Sequence, residues 1–467
     1  MTVPATDVPI DPAPLHADCA LTSQGWARDV RVTLRGGRIA EVETGAPARP
    51  GDRRLAGRAL LPSPSNLHSH AFQRAMAGMT ARRGHEPDSF WTWRKLMYRF
   101  LDLLTPGQIE AIAALVHVEM LEAGYAASAE FHYVHHQPGG APYDDRAELS
   151  TRIVAAAAQS GIGLTLLPVL YSHGGAGAQP LSGGQLRFGD ELDGFAKIMD
   201  GAARALAALP PDARLGAAPH SLRATRPEQL RELAAAWPQA PLHIHAAEQV
   251  REVEEVEAWL GARPVAFLLD QTGIDARWCL VHCTQMTPDE TSRLAASGAV
   301  AGLCPITESD LGDGTFAGAA YLAAAGRFGI GSDSDIRIGL ADELRTLEYS
   351  QRLAHRARNV MAAPGDSVGE TLYRGALAGG AQALGRRSGA LEPGFWADLV
   401  AIDTGDVALA PLRPDQWIDG WLFAAGDRVV RDVWAAGRHV VREGRHIRRD
   451  AIEARYRAAL ADLTGAL

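Results

Sequence analysis

The chain of 467 residues is 47% hydrophobic and 22% charged, with a formal net charge of -9, long enough to bury a large core and to hold more than one domain. That balance argues against a nucleic-acid binder, whose partner would demand a basic face, but leaves room for an anionic small molecule held by a few local arginines. No stretch approaches the ~18 apolar residues of a membrane span and no basic-then-apolar leader opens the chain, so a cytoplasmic enzyme with no membrane partner is expected. Four cysteines, Cys19, Cys279, Cys283 and Cys304, are too few for a disulfide framework.

Near the start, Val30, Val32 and Leu34 lead into Arg35-Gly36-Gly37-Arg38, and Ile39 and Val42 resume the alternation, which predicts a hairpin with a glycine turn. Eight short apolar runs follow, centred on Leu60, Ala129, Leu166, Ala217, Ile244, Leu280, Ala301 and Ile330, with helix-like sequence between them. Such alternation predicts a parallel sheet, and eight repeats predict a (β/α)8 TIM-type barrel with its site at the carboxyl ends of the strands. After the fifth run, Val253, Val256 and Trp259/Leu260 form the inward face of a helix, and Glu252, Glu254, Glu255 and Glu257 are expected to face water. The alanine-rich Ala155 to Ala158 reads as helix.

Strand texture returns at Ala397 to Ile402, and again at Val433-Trp434-Ala435 and His439-Val440-Val441 around an Ala436-Gly437 turn. A small β-sandwich domain is therefore expected from residues 1–59 and 390–448, the barrel from 60–389, and a terminal helix over 449–467 with Ile452, Tyr456, Leu460 and Leu463 on one face.

His68 and His70 lie two apart where an apolar run gives way to a polar loop, so both imidazoles can meet one ion beyond a strand end. His245 with Glu248 three residues on, His282 and Asp333 each close a later run. Three imidazoles and one carboxylate suit zinc with a water completing the sphere, and the expected ligands are His68, His70, His245 and Asp333. His243 rivals His245 by strand parity but lies further from the strand end. Asp335 rivals Asp333, which ends its apolar run directly. Cys279 and Cys283 bracket His282, and free buried thiols are the better reading of them than soft ligands.

These residues resemble the amidohydrolase superfamily, and within it the zinc-dependent deaminases. The shared pattern is His-Xaa-His on the first strand, His-Xaa-Xaa-Glu on the fifth, histidine on the sixth and aspartate on the eighth. Gly389 to Val400 looks like the return from barrel to sandwich, so the resemblance covers nearly the whole chain. The longer phrases Leu67 to Arg74, Phe90-Trp91-Thr92-Trp93-Arg94, Glu130-Phe131-His132-Tyr133, Pro219 to Arg223 and Leu311-Gly312-Asp313-Gly314 are similar to the N-formimino-L-glutamate deiminase family. Asp310 departs from it, because that family commonly carries asparagine there.

The resemblance implies one zinc ion per subunit of a homodimer and hydrolytic deimination of N-formimino-L-glutamate to N-formyl-L-glutamate and ammonia, in histidine degradation. Such a dicarboxylate needs cations, and Arg94 and Arg223 offer planar forks matched to carboxylate. His220 can assist from the same strand end, and Gln73 and Tyr133 can hydrogen-bond the formimino end. Within the implied chemistry Asp333 accepts a proton from water, His282 orients the hydroxide and Glu248 protonates the imine nitrogen. The alternative is another deaminase of this branch acting on a purine, pterin or triazine ring, which wants an aromatic or amide-lined pocket rather than two arginines. A non-catalytic scaffold would lack part of this residue set.

Overall fold

The computed structural model describes residues 8–82 and 90–466; of the phrase Phe90 to Arg94, the side chains of Phe90, Trp91 and Thr92 lie outside the description. The chain opens with β1 (Leu15–Thr22), β2 (Gly25–Arg35), β3 (Arg38–Glu43) and β4 (Arg53–Pro62). Gly36 and Gly37 turn the β2–β3 hairpin at φ of 58° and 78°, the two positive values that favour glycine and match the strand twist. The barrel strands are β5 (Ser65–Ser69), β6 (Ala127–His132), β7 (Gly163–Leu170), β8 (Arg214–Leu215), β9 (Ala218–Pro219), β10 (Leu242–Ala246), β11 (Trp278–His282), β12 (Val300–Leu303) and β13 (Arg327–Ile330). The chain ends with β14 (Leu399–Asp403), β15 (Val430–Ala435), β16 (Arg438–Arg442), β17 (Arg445–His446) and the helix Arg449–Ala466.

One of the eight expected barrel runs belongs elsewhere. The run centred on Leu60 is β4, which pairs with β1 and β14, Leu60 lying opposite Ala20 and Ala401. The first barrel strand is the shorter β5, beyond Pro62-Ser63-Pro64. An apolar run reads alike whichever sheet takes it, and no helix separates β4 from β5 to mark the change. β4 therefore runs past the expected 59/60 joint to Pro62, and β5 begins at Ser65.

Both chain ends build one eight-stranded sheet in the order β17-β16-β15-β14-β4-β1-β2-β3. The β domain has its own core, which runs from Ile39 on β3 through Leu15, Leu60 and Leu399 to Trp434 on β15. Backbone bonds from Ile39 to the Phe395 carbonyl (2.9 Å) and from Ala397 to the Gly37 carbonyl (2.9 Å) fasten the β3 hairpin to the segment before β14. A Cβ on Gly37 would stand 2.8 Å from the Ala436 carbonyl oxygen, so glycine is required there on space as well as on φ.

β5, β6 and β7 pair in parallel, and β7 pairs with both β8 and β9, which are one fourth strand broken at Gly216-Ala217. β10 to β13 form the other parallel half. The halves join at Ala217–Leu242 and Ser221–His245 on one side and at Ser69–Asp333 on the other, giving eight parallel strands in a closed ring. Closure itself brings His68, His70, His245 and Asp333 to the seams. The helices Glu148–Ser160 and Val250–Leu260 form as expected, and the terminal helix buries Ile452 and Leu463. No helix among the described residues is long and apolar enough to cross a membrane.

The barrel's underside is fastened to the sheet by charge. Asp212 takes two bonds of 2.8 Å from Arg438, and Arg386, itself buried, reaches both Asp212 (3.3 Å) and Asp398 (2.9 Å). Burial works against the Asp212 anion, yet Arg438 and Arg386 hold its carboxyl below the usual 3.8. Removing one partner of such a cluster costs about 3–5 kcal/mol. Asp212→Asn is expected to lose a large part of that in urea unfolding at pH 7. Because the folded carboxyl is depressed, wild type holds the full contribution above the usual value and loses it as pH falls through the folded one. The gap between wild type and variant should therefore close on acidification, and a gap independent of pH would count against this pairing.

Candidate metal and catalytic site

His68, His70, His245 and Asp333 offer ligand atoms that all lie within 4.8 Å of one another, every one buried. His68 Nε2 is 3.2 Å from His70 Nε2 and 3.0 Å from His245 Nε2, and Asp333 Oδ1 is 3.5 Å and 3.3 Å from the His68 and His70 nitrogens. The second nitrogens of two rings are spoken for, His70 Nδ1 donating to the Phe131 carbonyl (2.9 Å) and His245 Nδ1 to the His220 carbonyl (3.1 Å). Their Nε2 lone pairs thus converge with an anionic oxygen, an arrangement a cation satisfies and a proton cannot. Burial pushes His68 down to about 3 and holds His70 and His245 low as well, the neutral state that ligation needs. These residues fit a metal.

The rivals are turned away. His243 gives Nε2 to the Ala383 carbonyl at 2.8 Å. Asp335 is held by Ser332 and by Ser69 Oγ at 3.0 Å, behind the ligands. Cys279 and Cys283 are free and buried, their thiols pushed up by burial, and stand outside the four-ligand group.

Asp333 of this group and the neighbouring His282 adopt φ of 50° and 71°, a left-handed backbone that costs energy in such residues and clusters at functional sites. His282 Nε2 lies 3.8 Å from Asp333 Oδ2 and 3.9 Å from Glu248 Oε1. Burial disfavours the charged ring, but Glu248, Glu308 and Asp333 outweigh it and raise His282 to about 10; a bound cation opposes that rise. Burial also raises the Glu248 carboxyl, with His282 and Arg223 pulling the other way.

Glu252 corrects the helix expected after the fifth run. It does not face water: it is buried, accepting the N–H of Ala247 (3.2 Å) and of Glu248 (3.0 Å). The hydrophobic spacing that placed it outside ignores the unpaired N–H groups at a helix start, which draw a carboxylate inward. Glu308, also missed, bonds His282 Nδ1 at 3.3 Å.

A narrow cavity of about 50 Å³ opens over this group, its wall including Gln73, Arg94, Tyr133, His220, Arg223 and Glu248. Every residue expected to bind substrate therefore lines one space. Gln73 donates to the Tyr133 hydroxyl (2.7 Å) and Arg94 to the Tyr171 hydroxyl (3.0 Å). Arg223 is buried, 3.7 Å from Glu248, and its Nε makes no hydrogen bond. His220 holds Ser221 through Nδ1 at 3.0 Å. Trp93, Met97, Tyr171 and Phe188 also line the wall; nothing in the spacing of Tyr171 and Phe188 marked them. Asp310 is exposed and stands outside the cavity wall.

A metal-ligand group at the strand ends of an eight-stranded barrel, with acid/base side chains around it, defines a metal-dependent hydrolase. A model of the amidohydrolase family matches residues 59–440, and one described as the N-terminal domain of the formimidoylglutamate deiminase HutF matches residues 14–56. The chain belongs to the amidohydrolase family. It is 51% identical over 435 residues to a formimidoylglutamate deiminase of Pseudomonas aeruginosa, covering 92% of this chain and 95% of that protein. A crystal structure of an amidohydrolase from Brucella melitensis aligns with a TM-score of 0.93 at 48% identity, covering 97% of this chain and 100% of that one. An adenosine deaminase from Xanthomonas campestris with bound zinc shares the fold at a TM-score of 0.79 and 23% identity, over 98% and 100% of the chains.

Proposed function

We propose that the protein hydrolyses N-formimino-L-glutamate to N-formyl-L-glutamate and ammonia, a step of histidine degradation, with one zinc ion per subunit. The observation that carries this reading is the union, in one cavity, of a four-ligand metal group with the two arginines Arg94 and Arg223. The substrate is a dicarboxylate with an amidine-like carbon, so it asks for cations at one end and a metal with acid/base groups at the other. Arg223 Nε, 4.0 Å from Glu252 Oε2 but making no hydrogen bond, is a buried donor that a substrate carboxylate can satisfy. Similarity to the Pseudomonas aeruginosa deiminase supports the same substrate. Zinc is supported by the nitrogen-rich donor set and by the ion named in the Xanthomonas campestris structure. Cytoplasmic location and a homodimer rest on the resemblance, and light scattering tests the latter.

When bound in this group, the ion lowers the pKa of water toward neutrality. Asp333 Oδ2 and His282 Nε2 bound a gap of 3.8 Å, in which the carboxylate can take the proton of a water while the imidazole aims its oxygen. Attack forms a C–O bond at the formimino carbon. Glu248, its carboxyl raised by burial, supplies a proton to the imine nitrogen; Asp333 then passes the proton it took from water to that amine, the new hydroxyl returns its proton to Glu248, and the C–N bond breaks as the C=O bond forms, releasing ammonia. Arg94 and Arg223 hold the carboxylates throughout.

One observation favours a ring substrate instead, the aromatic wall of Trp93, Tyr133, Tyr171 and Phe188. Ammonia release from formiminoglutamate, guanine and adenosine separates the two, and activity confined to a ring sinks the first reading. Charge-assisted hydrogen bonds contribute about 1.5–3 kcal/mol, so Arg223→Ala and Arg94→Ala are each expected to raise KM roughly 10- to 100-fold with bound metal retained. Unchanged KM in both would place the carboxylates elsewhere.

A further inference from the structure

Glu308 lies on the short helix Pro305–Leu311 that follows β12, outside both the four-ligand group and the cavity wall. Its side chain is buried, and one oxygen has two duties: Oε1 accepts the Cys304 N–H at 2.8 Å and the His282 Nδ1 hydrogen at 3.3 Å. The first bond anchors the carboxylate to the backbone, so it cannot follow the ring. The loop is pinned in turn. Asp313 gives its N–H to the Glu308 carbonyl at 2.9 Å, Gln285 donates to the Asp313 carbonyl, and Gln249 donates to the Asp313 carboxylate. One loop thus braces Gln249, next to Glu248, and Gln285, three residues beyond His282 at the end of β11.

His282 needs such a brace because its backbone, at φ of 71°, lies where few side-chain-bearing residues settle unaided. A neutral imidazole has one N–H, and the acceptor facing Nδ1 decides which nitrogen carries it. In the charged ring both carry protons. In either state a carboxylate at Nδ1 leaves Nε2 as the atom presented to Asp333 and Glu248.

We propose that Glu308 is a positioning residue for the reaction: by accepting the Nδ1 hydrogen it fixes the His282 ring so that Nε2 faces the attacking oxygen. This rests on the deimination reading for the identity of that oxygen's target. The rival is a second cation held by His282, Cys304 and Glu308, whose ligand atoms lie within 4.8 Å of one another. The Cys304 N–H bonded to Glu308 Oε1 speaks against it, since that oxygen is already donated to.

The test is kcat, KM and metal content of Glu308→Ala and Glu308→Gln in the metal-loaded enzyme. Partners that orient site groups typically contribute 10- to 100-fold, so Glu308→Ala should lose about that factor in kcat with KM and metal content unchanged. Glu308→Gln keeps an oxygen that can accept the same hydrogen and should recover most of the loss. Undiminished kcat in Glu308→Ala overturns the proposal, as does loss of the four-ligand metal in step with kcat. A glutamine variant as poor as alanine overturns it in favour of charge rather than orientation. A second metal equivalent in wild type that both Glu308→Ala and Cys304→Ser remove also overturns it. All variants are compared with wild type on whichever substrate it deaminates; a wild type silent on formiminoglutamate defeats the function proposed above while leaving this comparison measurable.

Discussion

His245→Ala is expected to purify without its metal and to lose activity by on the order of 10⁴-fold or more, with no return on adding zinc at concentrations that restore a chelated wild type. The size follows from what the ion does: it moves the pKa of water from 15.7 to about 7, and no side chain in the cavity replaces that. The His245 nitrogen is 3.0 Å from His68 Nε2 and its ring is aimed by the His220 carbonyl, so alanine removes one of the four donors and leaves a polar gap that water can enter. Metal analysis and ammonia release check the result. A variant that keeps one metal per chain and more than a tenth of its activity would take His245 out of the coordination sphere.

Glu248→Gln is the second large effect. Glutamine matches the shape of glutamate and can still receive Arg223, 3.7 Å away, but it cannot hand over a proton. General acid–base steps contribute typically 10²–10⁴-fold, so kcat should fall by about that factor while KM moves little and the metal stays. The backbone bonds from Glu252 that fix this position do not involve the Glu248 side chain, so the fold is expected to survive. A loss under tenfold would reduce Glu248 to a group that orients a neighbour.

The four residues that could hold a metal were legible in the sequence because their positions obey local rules. Two residues apart on a strand share a face, and the last residue of a barrel strand meets the site; those rules alone set His68 with His70 and preferred His245 to His243 and Asp333 to Asp335. Arg94 and Arg223 owed their place to motif resemblance as well as charge, and the structure puts both in the cavity wall. The two hairpins were legible from glycine turns, and the terminal helix from its apolar spacing.

Tertiary structure decided what has no local signal. Leu60 joins the sheet of the chain ends because Ala401, more than three hundred residues on, pairs with it, and apolar alternation cannot name a partner. The two chain ends form one β domain because backbone bonds from Ile39 and Ala397 fasten the β3 hairpin to the segment before β14. Glu252 was expected to face water and Glu308 carried no local signal; each turns inward to satisfy a buried donor left by the fold, a backbone N–H for one and the His282 ring for the other. The sequence by itself determined which side chains could hold a metal. Ring closure at Ser69–Asp333 and Ser221–His245 determined that they meet, because the distance between strand ends is a property of the closed barrel and of no single segment.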